Sequence, residues 1–391
     1  MPELMPSHVD VLIVGGGPVG ATLALALKDS GLAVMVLEAN SDFSRPADPR
    51  ALALSQGAKT LLQRLGVWNA IESPSPIETI HISQRGGFGR AVLRAAECGL
   101  PALGHVVNYS ALSTALHQAL AANSTNYLTG ATVHEVHNTP GFGVAEFSHA
   151  GQQHEVTASL LVLADGGRSL GAVRGVGKHV VDYGQTAVIC HVTTELPHHN
   201  TAYERFTPYG PLALLPSGEG FDLVWTALPE EAEALLQLDD KAFLEKLHDR
   251  FGDRLGAFTS AGHRASFPLS LKYARPVTAQ RMALIGNAAQ AMHPVAGQGF
   301  NLGLRDAWEL GEAIMRVPRA EVGNAAMLAQ YRESRSPDTG GSILFTDALV
   351  RLFSNDYHGI NLGRGLGLTA LDLLPAAKRF VARKMIFGAK G

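Results

Sequence analysis

"VLIVGGGPVG" (residues 11–20) carries an apolar, β-branched run into three glycines, with a fourth at Gly20. Residues 9–14 read as a buried parallel strand and residues 19–28 as the helix behind it. Gly15, Gly17 and Gly20 then fit G-x-G-x-x-G. The first permits a tight turn, the second lets a pyrophosphate approach the backbone, and the third lets helix and strand pack closely. The helix N-terminus offers its unpaired N–H groups and positive dipole end to the phosphates. A second strand, residues 33–37, delivers Glu38 to where a ribose hydroxyl needs an acceptor; an acid there favours FAD or NAD over NADP. The glycines alone fit a turn in some other α/β protein, but the surrounding strands, helix and acid decide for a dinucleotide.

Two more units of the same kind follow. "LLVLADGGRS" (160–169) is a buried strand ending in Asp165-Gly166, and "RMALIGNAAQAMHPVAGQGFNLGLRDAWEL" (281–310) is a third strand-turn-helix. In the latter, Pro294, Gly297, Gln298, Gly299 and Asn301 precede or open a helix containing Asp306. Singly each could be an ordinary turn, since Gly, Asn and Asp are what turns use.

The bulk composition agrees with a globular enzyme. The chain has 391 residues, more than one hydrophobic core usually spans, with 46% hydrophobic and 17% charged residues. A net charge of −3 excludes a nucleic-acid footprint for the whole chain. From Arg351 onward, however, seven Lys/Arg face two Asp, so the tail is basic. Cys98 and Cys190 stand far apart, which excludes a disulfide scaffold or structural zinc and points to a reducing, cytoplasmic compartment. The apolar window 9–27 lacks a positive n-region and is broken by its glycines and Pro18, so it is neither signal peptide nor membrane span. No HExxH or Ser/His/Asp spacing is present, so metalloenzyme and hydrolase readings have no support and no metal is expected.

With the three units in this order, the chain resembles the flavoprotein aromatic hydroxylases, the single-component monooxygenases, over essentially its whole length. The resemblance implies FAD with its pyrophosphate at residues 15–20 and its adenosine ribose on Glu38. It places the ribityl chain near Gly286-Asn287 and the isoalloxazine against Pro294 and the Gly297-Gln298-Gly299 turn. Arg50 matches an arginine the family keeps near the flavin phosphates, and Asp165-Gly166 matches its D-G motif. Within the group the chain is most similar to the ubiquinone-biosynthesis hydroxylases, in particular the branch acting on 2-octaprenyl-6-methoxyphenol. "RALALSQGAKTLLQRLGVW" (50–68), "HISQRGGFG" (81–89), "ERFTPYGPLALLP" (204–216) and "DALVRLF" (347–353) carry that similarity. The implied reaction is NAD(P)H reduction of FAD, addition of dioxygen to give a flavin 4a-hydroperoxide, and attack by a phenol ring on its distal oxygen. The implied partners are a polyprenylphenol, dioxygen, and a biosynthetic complex or the inner-membrane surface. Two departures stand out. Asn287 replaces the usual Asp, and in D-G-x-x-S-x-x-R the final arginine is Ala172, with Arg174 two residues late, which weakens the expectation of nicotinamide-nucleotide contacts there.

The fold class expected is α/β, a Rossmann-like FAD domain with a mainly antiparallel substrate sheet and C-terminal helices. The FAD domain comprises residues 1–76, 101–180 and 273–340, the substrate domain 77–100 and 181–272, and a helical region 341–391. Residues 185–216 and 221–228 read as antiparallel strands with "TPYGP" and "PSGEG" turns, residues 77–85 join that sheet, and 231–251 are helical. Leu212, Leu214 and Trp225 are candidates for an apolar groove or for core. His293 is read as a structural turn residue, and no catalytic base is identifiable. Residues 376–387 form a helix whose Ala377, Phe380, Val381 and Met385 share a face ringed by Lys378, Arg379, Arg383 and Lys384, a membrane- or partner-docking stripe or else a core helix. Competing readings are a flavin dehydrogenase or reductase, a halogenase (whose W-x-W-x-I-P motif is absent) and a non-catalytic FAD-holding subunit.

Overall fold

The computed structural model describes residues 5–41, 50–123, 126–353 and 358–390. The chain opens with β1 (His8–Val14), buried beyond its first residue, and α1 (Pro18–Ala26). Proline starts this helix where its missing N–H is not needed. Next comes β2 (Val34–Glu38). An excursion follows through β3 (Ala51–Ser55), α2 (Gln56–Arg64), β4 (Ser75–Ile77), β5 (Thr79–Gln84), β6 (Arg90–Arg94), β7 (Gly104–Asn108) and α3 (Tyr109–Ala121). The chain returns with β8 (Asn126–Thr129), β9 (Thr132–Asn138), β10 (Gly143–His149) and β11 (Gln152–Leu163).

A long strand, β12 (Gly177–Thr194), begins a second sheet, with β13 (Thr201–Thr207), β14 (Gly210–Ser217) and β15 (Gly220–Ala227) in meander order. Then come α4 (Pro229–Gln237), α5 (Asp240–Phe251), β16 (Phe258–Ala261) and β17 (Ala265–Arg275). Short strands β18 (Thr278–Ala279), β19 (Met282–Leu284) and β20 (Gln290–Ala291) precede α6 (Gln298–Met315), α7 (Ala325–Phe353), α8 (His358–Leu373) and α9 (Pro375–Phe387).

Two large sheets result. The first runs β18-β19-β11-β1-β2-β8, and β19, β11, β1, β2 and β8 pair in parallel. Such strands are covered on both faces, which is why they read as unbroken apolar runs. One face packs on α1, α3 and α6 through Val11, Leu23, Leu116 and Leu310; the other carries Leu12, Phe147 and Leu161. The second sheet runs β20-β17-β12-β15-β14-β13-β5-β6, mostly antiparallel, with α4 and α5 closing its outer face over Leu212, Leu214 and Trp225. Residues 77–85 therefore divide: Ile77 ends β4 in a small β3-β7-β4 sheet, and β5 joins the large one. Among the described residues no helix is long and apolar enough to cross a membrane.

Candidate active site

The parallel register aligns four strand ends. Val14 stands beside Leu37 of β2 and Leu163 of β11, and Leu163 beside Leu284 of β19. The residues that follow, Gly15, Glu38, Asp165 and Gly286, therefore emerge side by side outside the carboxyl edge of the sheet, where open α/β sheets hold ligands.

Each is fixed locally. Gly15 has φ +103°, and a Cβ there would lie 2.6 Å from Ala164 O. Gly20 sits beneath it, where a Cβ would collide with Gly15 O, so α1 can approach the strand only with glycine there. Glu38 is buried; its Oε2 accepts from Gly16 N at 2.7 Å and its Oε1 from Asn40 N at 2.8 Å. His117 donates from Nε2 to Gly16 O at 2.9 Å and so pins the turn from behind. The Asp165 carboxylate accepts from Gly167 N (2.9 Å) and Ser169 N (2.7 Å), shaping the second turn.

A cavity of about 900 Å³ opens at these strand ends. Gly15, Gly17, Glu38 and Arg50 line it, as do Asp165, Gly166 and Asn287, and Pro294, Gly297 and Gly299 at the third turn. The Arg50 guanidinium lies over Tyr109 (5.3 Å) and Phe267 (5.7 Å), held by their ring faces. Gly20, Gln298 and Asn301 do not line the cavity. Asn301 holds the turn from below, accepting from Ser55 N at 2.8 Å and donating to Ala53 O (2.9 Å) and Gly297 O (2.7 Å). Gln298 is buried beside it, and both face a separate void of about 60 Å³. The first turn of α6 thus points these two away from the cavity wall and towards the turn's support.

The α6 turn is anchored by a network that the sequence did not reveal. Arg335 of α7, 2% exposed, donates from Nε and Nη2 to Asp306 (2.9 and 2.7 Å) and from Nη1 to Glu309 (3.0 Å) and Asp338 (2.8 Å). Asp306 in turn accepts from Gly286 N at 3.2 Å, directly before Asn287. Burial works against the Arg335 charge, but Asp306 and the neighbouring acids hold its pKa above the ordinary value.

The far side of the cavity is the inner face of the second sheet. Residues opposite one another on neighbouring strands share a face, so Ile82, Glu204, Ala213, Val224 and Ile189 form one row across β5, β13, β14, β15 and β12. All five line the cavity. Glu204 is the one acid in that row. Its Oε1 is buried without a hydrogen-bond partner, and burial pushes its carboxyl up to about 8. Leu212, Leu214 and Trp225 belong to the opposite face and are core; the strand alternation puts Ala213 and Leu215 in the groove instead.

His293 is structural. It is 1% exposed, its Nδ1 accepts from Val295 N at 3.2 Å, and burial lowers it to about 4, so the ring is neutral. Helix α9 is divided in a way the docking stripe did not foresee. Ala382 and Ile386 pack on Leu93, Ala95 and Leu103 of the core. Val381 and Met385 line the cavity, whereas Phe380 is 64% exposed. Lys378 is buried and paired with Glu97 at 3.0 Å. Of the two readings, core packing describes Ala382 and Ile386, while Arg379, Phe380 and Arg383 stay exposed.

Residues 8–340 match the family model described as an FAD binding domain. Over 382 residues the chain is 37% identical to the ubiquinone hydroxylase UbiL of Rhodospirillum rubrum, covering 96% of this chain and 88% of that one. The 3-demethoxyubiquinol 3-hydroxylase of Escherichia coli is 31% identical, over 95% and 96% of the two chains. The solved p-nitrophenol 4-monooxygenase of Pseudomonas putida aligns with a TM-score of 0.77 at 18% identity, covering 97% of this chain and 98% of that one, a likeness of fold.

Proposed function

The chain belongs to the FAD-binding-domain family, in its ubiquinone-hydroxylase branch, and from that premise we propose that it hydroxylates the ring of a polyprenylated methoxyphenol. It is an FAD-dependent monooxygenase acting on a ubiquinone precursor. The observation that carries the finer reading is the continuity of the nucleotide cradle with an apolar chamber in one cavity.

The residues present fit FAD. A Cβ at Gly17 or Gly166 would meet no protein atom within 4 Å, so both backbones face open space. The N-termini of α1 and α6 carry neither a side-chain cap nor an acid in the first turn. The N–H groups and positive dipole ends there suit the pyrophosphate and the electron-rich ring respectively. Glu38 would take the ribose, Arg50 the phosphates, and Asn287 the ribityl chain. Bound FAD, reduced by NAD(P)H, supplies the activation of dioxygen.

The chain's own residues then act on the phenol. Ile82, Ala213, Val224 and Ile189 present an apolar wall that excludes water from the reacting centre. Phe345, Leu349, Leu368 and Leu371 extend the apolar lining towards the C-terminal helices, room of the kind a prenyl tail needs. Glu204 is the group available to accept the phenolic proton, which makes the ring the stronger nucleophile.

A strain lacking this protein should accumulate a 6-methoxylated prenylphenol, which extracted quinone intermediates would reveal by mass. Accumulation of 3-demethoxyubiquinol, the compound named for the Escherichia coli relative, or of an unmethoxylated phenol would move the reaction to another carbon.

A further inference from the structure

On β5 and β13 the residues that alternate with Ile82 and Glu204 point to the sheet's outer face, and there they meet a second pocket of about 470 Å³. Arg205 of β13, Arg90 at the start of β6 and Arg254 in the turn after α5 converge on it, with His81 of β5 alongside. Burial, then the charges of Arg254 and Arg85, push the Arg205 guanidinium below its usual value. Among the described residues none of these four arginines has a carboxylate within ion-pair distance. Asp372 also lines the pocket but is engaged, accepting from Val92 N at 2.9 Å and lying 3.7 Å from Lys378 Nζ.

The donors are unsatisfied as well as like-charged. His81 is 7% exposed and neither ring nitrogen has a hydrogen-bond partner. Arg205 Nε is buried without one, and its Nη1 reaches Ser83 Oγ only at 3.4 Å. Burial and the neighbouring arginines hold His81 down to about 4, so it is neutral and keeps one N–H to donate. Clustered positive charge with unpaired buried donors is costly unless an anion lies among them. Guanidinium forks bind phosphate oxygens two at a time.

We infer that this outer pocket binds a phosphate ester, clamped by Arg90, Arg205 and Arg254 with His81 donating to it. The rim carries Leu373, 73% exposed, and the neighbouring glycine loop carries Phe88, 49% exposed, so the ester's remainder meets apolar surface. A free phosphate ester and a phospholipid headgroup share this chemistry.

The test uses the FAD-loaded enzyme and the double variant Arg90→Gln/Arg254→Gln, both of whose positions are exposed. Calorimetry with glycerol 3-phosphate reads the free ester, and co-sedimentation with phosphatidylglycerol vesicles, against phosphatidylcholine alone, reads the lipid. Saturable glycerol phosphate binding that weakens at least tenfold in the variant, without vesicle binding, assigns a free ester. Association with the anionic vesicles alone that the variant loses assigns a headgroup, whether or not the free ester binds. If wild type and variant behave alike in both arms, the pocket is not a phosphate site.

Discussion

At Gly17 the backbone is extended, φ −60° and ψ 175°, a conformation any residue adopts. A side chain there meets no protein but enters the cavity. Gly17→Val should therefore fold normally, with unchanged far-UV dichroism, yet purify colourless; a yellow variant carrying a full complement of FAD would show that the pyrophosphate lies elsewhere. Glu204 stands among apolar side chains on the cavity wall. Held up to about 8, its carboxyl keeps its proton at neutral pH and becomes a base above that, so kcat/KM should climb as pH rises through about 8. Glu204→Gln should lose that limb while still binding FAD; an unchanged profile would remove Glu204 from the proton path. The same shift makes the native state hold a proton that the unfolded chain releases. Folding stability should accordingly fall as pH rises from the ordinary carboxyl range through about 8, and fall less in the variant. The glycines were legible in the sequence because a turn is written in consecutive residues. Glu204 was not, since only the pairing of β13 with β5 and β14 tells which neighbours it has.

Among elements, α6 and α7 decide whether the turn before α6 is rigid. Arg335 reaches Asp306 across 29 positions of sequence, and no periodicity announces such a pair. Replacing it with Met leaves Asp306 and Asp338 buried with less compensation, and breaking a buried pair typically costs ~3–5 kcal/mol. Urea denaturation should report a loss of that order, with weaker FAD retention because Asp306 also holds Gly286 N. A loss no larger than for a surface ion pair would contradict the network's role. Helix α9 offers a companion test. Its amphipathic pattern was readable, but the sequence could not say what each face meets; Ala382 and Ile386 turn out to meet the core. Truncation after Pro375 should lower the melting temperature and release FAD, since the cut also removes Val381 and Met385 from the cavity wall. A shortened protein of undiminished stability would return α9 to the surface. Leu212, Leu214 and Trp225 teach the same lesson in a strand, where a shift of one residue exchanges groove for core.

For the whole molecule, the two sheets meet so that the glycine turns and the apolar chamber share one cavity. The turns that line it were legible because the three motifs each end a strand, and the parallel register brings those ends together. The chamber and the outer arginine pocket were not, because their residues come from segments far apart in the chain. In this cavity an atom of dioxygen is to enter a phenol. Incubating the enzyme with NAD(P)H, a prenylated methoxyphenol and ¹⁸O-labelled dioxygen in ordinary water tests it most directly. One labelled oxygen is expected in the new hydroxyl group. Product formed without label, or oxidation with no oxygen gained, would contradict it and leave a flavin dehydrogenase on the same fold.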